Sequence, residues 1–185
     1  MKKIVCFILM ISTTTFLNAQ VFNTARTLNN TKFSTTAGLS LYDGGAMLLG
    51  KIGYGLGYDN DVAVTMGFGD VSYLGVDFEK ELPWEDLDNF TMSLSSGLHH
   101  CGGFAIDVTW NCSVPLDKTL ELYGGLDMDL RLTGGSGLPV LMFLGAEYAI
   151  RHRLTLLGEV DLGLNKAGNS LGVSVCYYFS GFTIK

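Results

Sequence analysis

The stretch that begins at Leu120 alternates residue by residue. Leu120, Leu122, Leu126, Met128, Leu130 and Leu132 are interleaved with Glu121, Tyr123, Asp127, Asp129 and Arg131. Successive side chains on an extended strand point to opposite faces, so this stretch has one greasy wall and one ionic wall. The same period of two runs through Phe104, Ile106, Val108 and Trp110 against Asp107, Thr109 and Asn111. It runs again through Leu156, Val160, Leu162 and Leu164 against Glu159, Asp161 and Gly163, and through Val173, Val175, Tyr177 and Phe179 against Gly172, Ser174 and Tyr178. No window of helical length carries an apolar stripe at spacings of three and four, so the fold class is all-β. These strands run to about ten residues, long for a globular sheet and close to what a tilted strand needs to cross a bilayer.

Turn-forming clusters interrupt the alternation at regular intervals: Asp43-Gly44-Gly45, Asp59-Asn60-Asp61, Gly69-Asp70, Leu82-Pro83-Trp84, His100-Cys101-Gly102, Pro115-Leu116-Asp117, Gly134-Gly135-Ser136-Gly137, Arg151-His152-Arg153 and Ala167-Gly168-Asn169. Nine breaks imply about ten strands joined as hairpins, with eight as the fallback count. A closed antiparallel transmembrane barrel is the architecture that satisfies every backbone group of such strands in lipid. An even strand count returns both ends of the chain to one rim, the periplasmic one in a bacterial barrel.

Composition agrees with lipid. The chain is 48% hydrophobic and 16% charged over 185 residues, enough for one domain and apolar for one that must cover itself with polar groups. Residues 1–19 read as a signal peptide: Lys2 and Lys3, an apolar run from Ile4 to Ile11 too short to span a bilayer as a helix, then Leu17-Asn18-Ala19 before Gln20. Cys6 lies within the apolar run, which argues against a lipoprotein. Residues 20–185 are then a single barrel domain. Loss of the two leading lysines lowers the formal net charge of −6 by two, to −8, and no basic cluster remains to neutralise phosphates, so nucleic acid is excluded as a partner. Cys101, Cys112 and Cys176 are left, an odd number. Cys101 and Cys112 stand roughly 35 Å apart if a strand joins them at about 3.3 Å per residue. Cys112 and Cys176 face opposite sides of the wall, so no structural disulfide is expected.

The signal ending Asn18-Ala19-Gln20, the glycine-rich alternating strands and the final Gly172-Val173-Ser174-Val175-Cys176-Tyr177-Tyr178-Phe179 resemble the outer-membrane β-barrel (porin-like) domain family, over nearly all of the mature chain. The resemblance implies a small bacterial outer-membrane protein, with outer-membrane lipid as its surroundings. It also implies that the barrel-assembly machinery reads the aromatic-ended last strand during insertion.

With the apolar parity toward lipid, the other parity lines the lumen and collects Asp77, Glu79, Asp107, Glu121, Asp127, Asp129, Glu147, Glu159 and Asp161, against Lys51 and Arg131. Crowded carboxylates in a narrow interior must be hydrated, share protons, pair with the two cations or hold others. Phe33, Tyr58, Phe90, Trp110, Tyr148, Tyr177 and Phe179 are expected at the periplasmic ends of strands on the lipid face, as an aromatic girdle. Gly53, Gly55 and Gly57 share one face, and no helix follows to make them a phosphate loop. They mark a place where the inner wall must be thin or strongly curved. His99 and His100 are expected in a solvated loop at the outer rim. Asp59, Asp61 and Asp70 lack the glycine and the closing glutamate of a calcium loop. No metal, cofactor or catalytic residue is assigned. Pro83 to Asp88 is the longest polar connection, and the outer connections are too short to build a receptor or enzyme site.

Four functions follow in order: a structural or envelope-integrity barrel; a narrow cation-preferring pore; a soluble exported barrel with the apolar parity turned inward around a hydrophobic ligand; and hydrolase chemistry at His99 or His100.

Overall fold

The computed structural model describes residues 22–42, 44–83, 89–133, 137–165 and 167–179. The signal peptide assigned to residues 1–19 and the centre of the Pro83–Asp88 connection lie outside the described residues. Ten strands follow one another: β1 (Phe33–Tyr42), β2 (Gly45–Gly55), β3 (Asn60–Gly69), β4 (Tyr73–Leu82), β5 (Thr91–His100), β6 (Phe104–Pro115), β7 (Leu120–Arg131), β8 (Val140–Arg151), β9 (Leu154–Asn165) and β10 (Ser170–Tyr178). Each pairs antiparallel with the next, and β1 closes on β10 from Ser34↔Tyr178 to Tyr42↔Ser170. The count is ten rather than eight, and each break in the alternation coincides with a connection. β1 starts and β10 ends on the same rim, called here the terminal rim.

The walls are two-faced. Every strand turns apolar side chains outward, among them Leu48 and Ile52 on β2, Phe68 on β3, Leu130 on β7, Leu144 on β8 and Leu171 on β10, all exposed. The opposite parity is buried and holds the carboxylates, serines and threonines. A continuous belt of exposed leucine, valine and phenylalanine of this size has no place in water. The inverted soluble arrangement is therefore corrected: the leucines face out and the acids face in. Leu144, 66% exposed in mid-strand, supplies a direct check. Leu144→Arg is expected to cost about 2–4 kcal/mol of unfolding free energy in lipid vesicles, whereas a surface bathed in water would tolerate it.

The glycines explain how a ten-stranded wall holds rings inside. A Cβ on Gly145 would fall 2.7 Å from Cε2 of the inward Tyr123 and closer still to its Cζ, and a Cβ on Gly125 would fall 2.7 Å from Cζ of Phe143. Tyr123 and Phe143 take the space that a side chain at these two positions would occupy. Together with Met47, Leu49, Tyr73, Leu157 and Cys176 they form the apolar part of the interior.

Turns set the details at the terminal rim. Gly57 (φ 88°), Tyr58 (φ 54°) and Asp59 (φ 59°) are successive left-handed residues, held by Asn60 Nδ2, which donates to the carbonyls of Gly57 (3.1 Å) and Tyr58 (2.7 Å). Tyr58, 95% exposed, thus belongs to this turn and not to the end of β2. Phe90 precedes β5 and is half-buried. Phe33, Tyr148, Tyr177 and Phe179 are exposed near strand ends, with Phe33 against Tyr54 (centroids 4.6 Å) and Tyr177 edge-on to Phe179 (5.2 Å). Trp110 is a correction: it faces outward but in mid-strand, because β6 keeps its pairing with β5 as far as Ser113 and with β7 as far as Pro115. Between β6 and β7, Asp117 Oδ1 accepts the Thr119 hydroxyl (2.7 Å) and the backbone N–H groups of Thr119 (2.6 Å) and Leu120 (3.0 Å). These bonds, the Thr119 hydroxyl first, hold the Asp117 carboxyl below its ordinary pKa.

Candidate functional site

The lumen is where the ionic parity converges. Asp77 and Glu79 project inward from β4, Asp107 from β6, Glu121, Asp127 and Asp129 from β7, Glu147 from β8, and Glu159 and Asp161 from β9. Asp77 is half-buried and the others are buried. Lys51 on β2 and Arg131 at the end of β7 share their parity. Alternation alone dictates this, because each carboxylate is an odd-numbered residue on a strand whose even-numbered residues, Lys80 on β4 apart, are apolar.

What the carboxylates meet is less local. Glu79 accepts the Ser93 hydroxyl and Asn111 Nδ2 (3.1 Å). Asp127 accepts Thr109 Oγ1 (2.6 Å), Asp161 accepts Ser170 Oγ, and Glu147 accepts the Tyr178 hydroxyl (2.9 Å). Asp77 and Asp107 approach one another over Gly97, where a Cβ would fall 2.6 Å from Asp107 Oδ1 and closer still to Asp77 Oδ1.

His99 departs from its expected place. β5 pairs as far as His100, so the turn starts only at Cys101 and the two histidines take opposite faces of the strand. His100 lies outside, edge-on to Phe104 (4.9 Å). His99 is buried, stacked on Tyr73 (5.4 Å), with Nδ1 3.9 Å from Asp107 and Nε2 3.9 Å from Asp129. Both ring nitrogens face carboxylates and neither faces a hydroxyl. Among the described residues no group of His, Cys, Asp or Glu has the geometry to hold a metal ion. Cys101, Cys112 and Cys176 are free thiols.

The sequence reading missed one part of the site: residues 22–32 enter the barrel from the terminal rim and occupy its lumen. The segment has no period of its own, and it is held by side chains of six strands. Phe22 N–H donates to Glu159 Oε1 (3.1 Å) on β9, and Ala25 N–H to Ser113 Oγ (2.8 Å) on β6. Thr27 donates its N–H (3.3 Å) and hydroxyl (3.4 Å) to Glu81 Oε2 on β4, and Leu28 N–H bonds Asp61 Oδ2 (2.9 Å) on β3. Lys51 on β2 donates to Asn23 Oδ1. Arg26 Nη1 stands 3.2 Å from Glu121 Oε2 on β7, a charge contact without linear hydrogen-bond geometry. Asp61 and Glu81 thus join the inward acids, and Arg26 joins the inward cations.

The glycine stripe is the seat of this segment. A Cβ on Gly55 would fall 2.6 Å from the Leu28 carbonyl oxygen and closer still to that of Asn29, and one on Gly53 would fall 2.9 Å from Leu28 Cδ1. Backbone bonds finish the entry: Thr31 N–H to Gly55 O and Gly55 N–H to Lys32 O, both 2.9 Å. The wall is thin there because a second strand of chain lies on its inner side. Beside the segment remains a cavity of about 500 Å³, lined in part by Arg26, Lys32, Asp59, Glu81 and Tyr178.

The arrangement lets charge-assisted hydrogen bonds do what water would otherwise do. Carboxylates that would repel one another in an empty lumen accept amide protons and face a guanidinium instead. The chemistry available is that of a stopper, with acceptors on the wall and donors on the inserted chain.

No family model and no curated protein matches the chain. Solved structures do match. The NanC porin aligns at 6% identity and a TM-score of 0.59, over 78% of this chain and 98% of that one. The translocator domain of the autotransporter NalP from Neisseria meningitidis aligns at 13% identity and 0.53, over 82% and 90%. The KdgM porin aligns at 13% identity and 0.51, over 79% and 99%. At such identities the likeness is one of fold: this chain has the closed transmembrane architecture of small outer-membrane barrels.

Proposed function

We propose that this protein is a non-enzymatic barrel of the bacterial outer membrane with a structural, envelope-integrity role, delivered by a signal peptide over residues 1–19 and sealed by its own N-terminal segment. The single observation that carries this reading is the set of contacts that tie residues 22–28 to carboxylates and hydroxyls of the wall. Tyr123, Phe143, Met47 and Tyr73 add a buried apolar layer to the interior. A passage for ions needs a continuous hydrated path, and both layers oppose one. The hydrolase reading finds no support at His99, which stands 3.9 Å from two carboxylates and has no hydrogen bond to a hydroxyl among the described residues.

Purified protein in a planar bilayer tests the reading. The expected record is silent at every voltage. Discrete, cation-selective steps from the intact chain would replace the structural role with the second reading, a narrow pore. That reading is favoured by the excess of inward acids over Lys51, Arg131 and Arg26. Fractionation of the envelope, followed by gels of boiled and unboiled samples, tests the location: a heat-modifiable band in the outer membrane is expected, and a soluble periplasmic protein would contradict it.

A further inference from the structure

The outer surface of the terminal rim is not evenly charged. Going around it from β6, the turn before β7 carries Lys118, and the hairpin of β8 and β9 carries Arg151 and Arg153 on either side of His152, all exposed. The two hairpins are neighbours: Ala149 N–H donates to the Thr119 carbonyl at 2.7 Å. The next step along the rim is equally direct, Tyr178 N–H to the Arg153 carbonyl at 2.8 Å. No basic cluster is visible along the sequence, but pairing of these hairpins gathers three cations into one arc of a protein whose formal net charge is −6.

None of the three has an acidic partner among the described residues. Asp117, the carboxylate nearest in sequence to Lys118, has its Oδ1 occupied by the backbone and hydroxyl of its own turn. Glu121 and Glu147 on the flanking strands point inward, to Arg26 and Tyr178. The lipid-facing residues that adjoin these cations are Tyr148, Ile150 and Leu156, each exposed to about the same degree. A guanidinium or ammonium at the end of such an apolar column stands at the depth of lipid phosphates, and the tyrosine marks the same interface.

We infer that this arc, Lys118 with Arg151 and Arg153, binds the phosphates of anionic glycerophospholipids. The terminal rim is where β1 starts and β10 ends; by hairpin parity it is the periplasmic rim of a bacterial barrel, which faces the phospholipid leaflet. Two arginines supply planar donor forks for phosphate oxygens, and the lysine adds a point charge beside them. The inference rests on the barrel lying in a bilayer, and the zwitterionic arm of the test below examines that separately.

The test is the thermal midpoint of the folded band, read by unboiled gel, in phosphatidylcholine vesicles doped with increasing phosphatidylglycerol. The native protein is expected to gain stability with phosphatidylglycerol, and to lose the gain in high salt. The variant Lys118→Gln/Arg151→Gln/Arg153→Gln should match it in pure phosphatidylcholine. It should need a far higher phosphatidylglycerol fraction for the same rise, by about fivefold for each cation removed. Arg153→Gln alone carries the same test with a single fivefold step should the triple change impair folding. Lys80→Gln, on the far side of the barrel, should leave the response intact. An identical response from native and triple variant, or none from the native protein, would overturn the inference. So would a response reproduced by inorganic phosphate, or one given by lipopolysaccharide and not by phosphatidylglycerol. Failure to fold in pure phosphatidylcholine vesicles would instead count against the membrane reading itself.

Discussion

Arg26→Ala lowers the unfolding free energy by about 3–5 kcal/mol, the cost of leaving a buried charge without its partner. Glu121 is 0% exposed, and its Oε2 sits 3.2 Å from the guanidinium. Removing Arg26 leaves that buried carboxylate without its counter-charge. Adding Glu121→Gln to the first change should restore most of the loss, because a neutral amide carries no such desolvation penalty. Urea unfolding in lipid vesicles, followed by the gel shift, measures all four corners of the cycle. Additive losses would mean that Arg26 and Glu121 do not meet, and that the segment does not lie where it is described.

Gly55→Ala opens the stopper. The new methyl would overlap the carbonyl oxygens of Leu28 and Asn29. Backbone cannot move aside as a flexible side chain does, so either β2 or the inserted segment must shift. β2 is fastened to β1 and β3 along its length, from Phe33↔Tyr54 to Tyr42↔Gly45 on one side and from Met47↔Gly69 to Gly55↔Asp61 on the other. The segment is fastened by scattered bonds, so it gives way. Overpacking of about 2–3 kcal/mol corresponds to roughly a hundredfold rise in the population of the unseated form. Arg26, 13% exposed in the native barrel, then becomes a trypsin site. Mass spectrometry should find a barrel beginning at Thr27 in the variant and an uncut segment in the native protein. Gly50→Ala is the control, since nothing lies within 4 Å of a Cβ there. Equal resistance of Gly55→Ala and native protein would remove the steric account of the glycine stripe.

Both results bear on why the lumen was only half legible. The alternation of β7 and the breaks that bound it specify a strand and its two faces, because each residue's direction depends on its immediate neighbours alone. The same logic put Asp127, Asp129 and Glu159 on the inner face and Leu130 and Leu156 on the outer one. It erred where strand ends depend on a partner. β6 runs on past Trp110, and β5 runs through His99 and His100, since pairing with the adjacent strand, and not the local turn residues, decides where a ladder stops.

Residues 22–32 carried no period to read. Their signal was indirect, in a lone arginine ahead of the first strand and in a glycine stripe that called for a thin or strongly curved inner wall.

Local chemistry along the chain was enough for a count of about ten strands, the two faces of the alternating stretches and the preference of the outer surface for hydrocarbon, since those follow from periods of two and from turn residues. The occupant of the bore was decided only on closure. Closure brought Phe22 to Glu159, Ala25 to Ser113 and Leu28 to Asp61, pairs separated by 137, 88 and 33 residues. Hydrogen bonds between such distant groups exist only once the sheet has curved onto itself and made an interior.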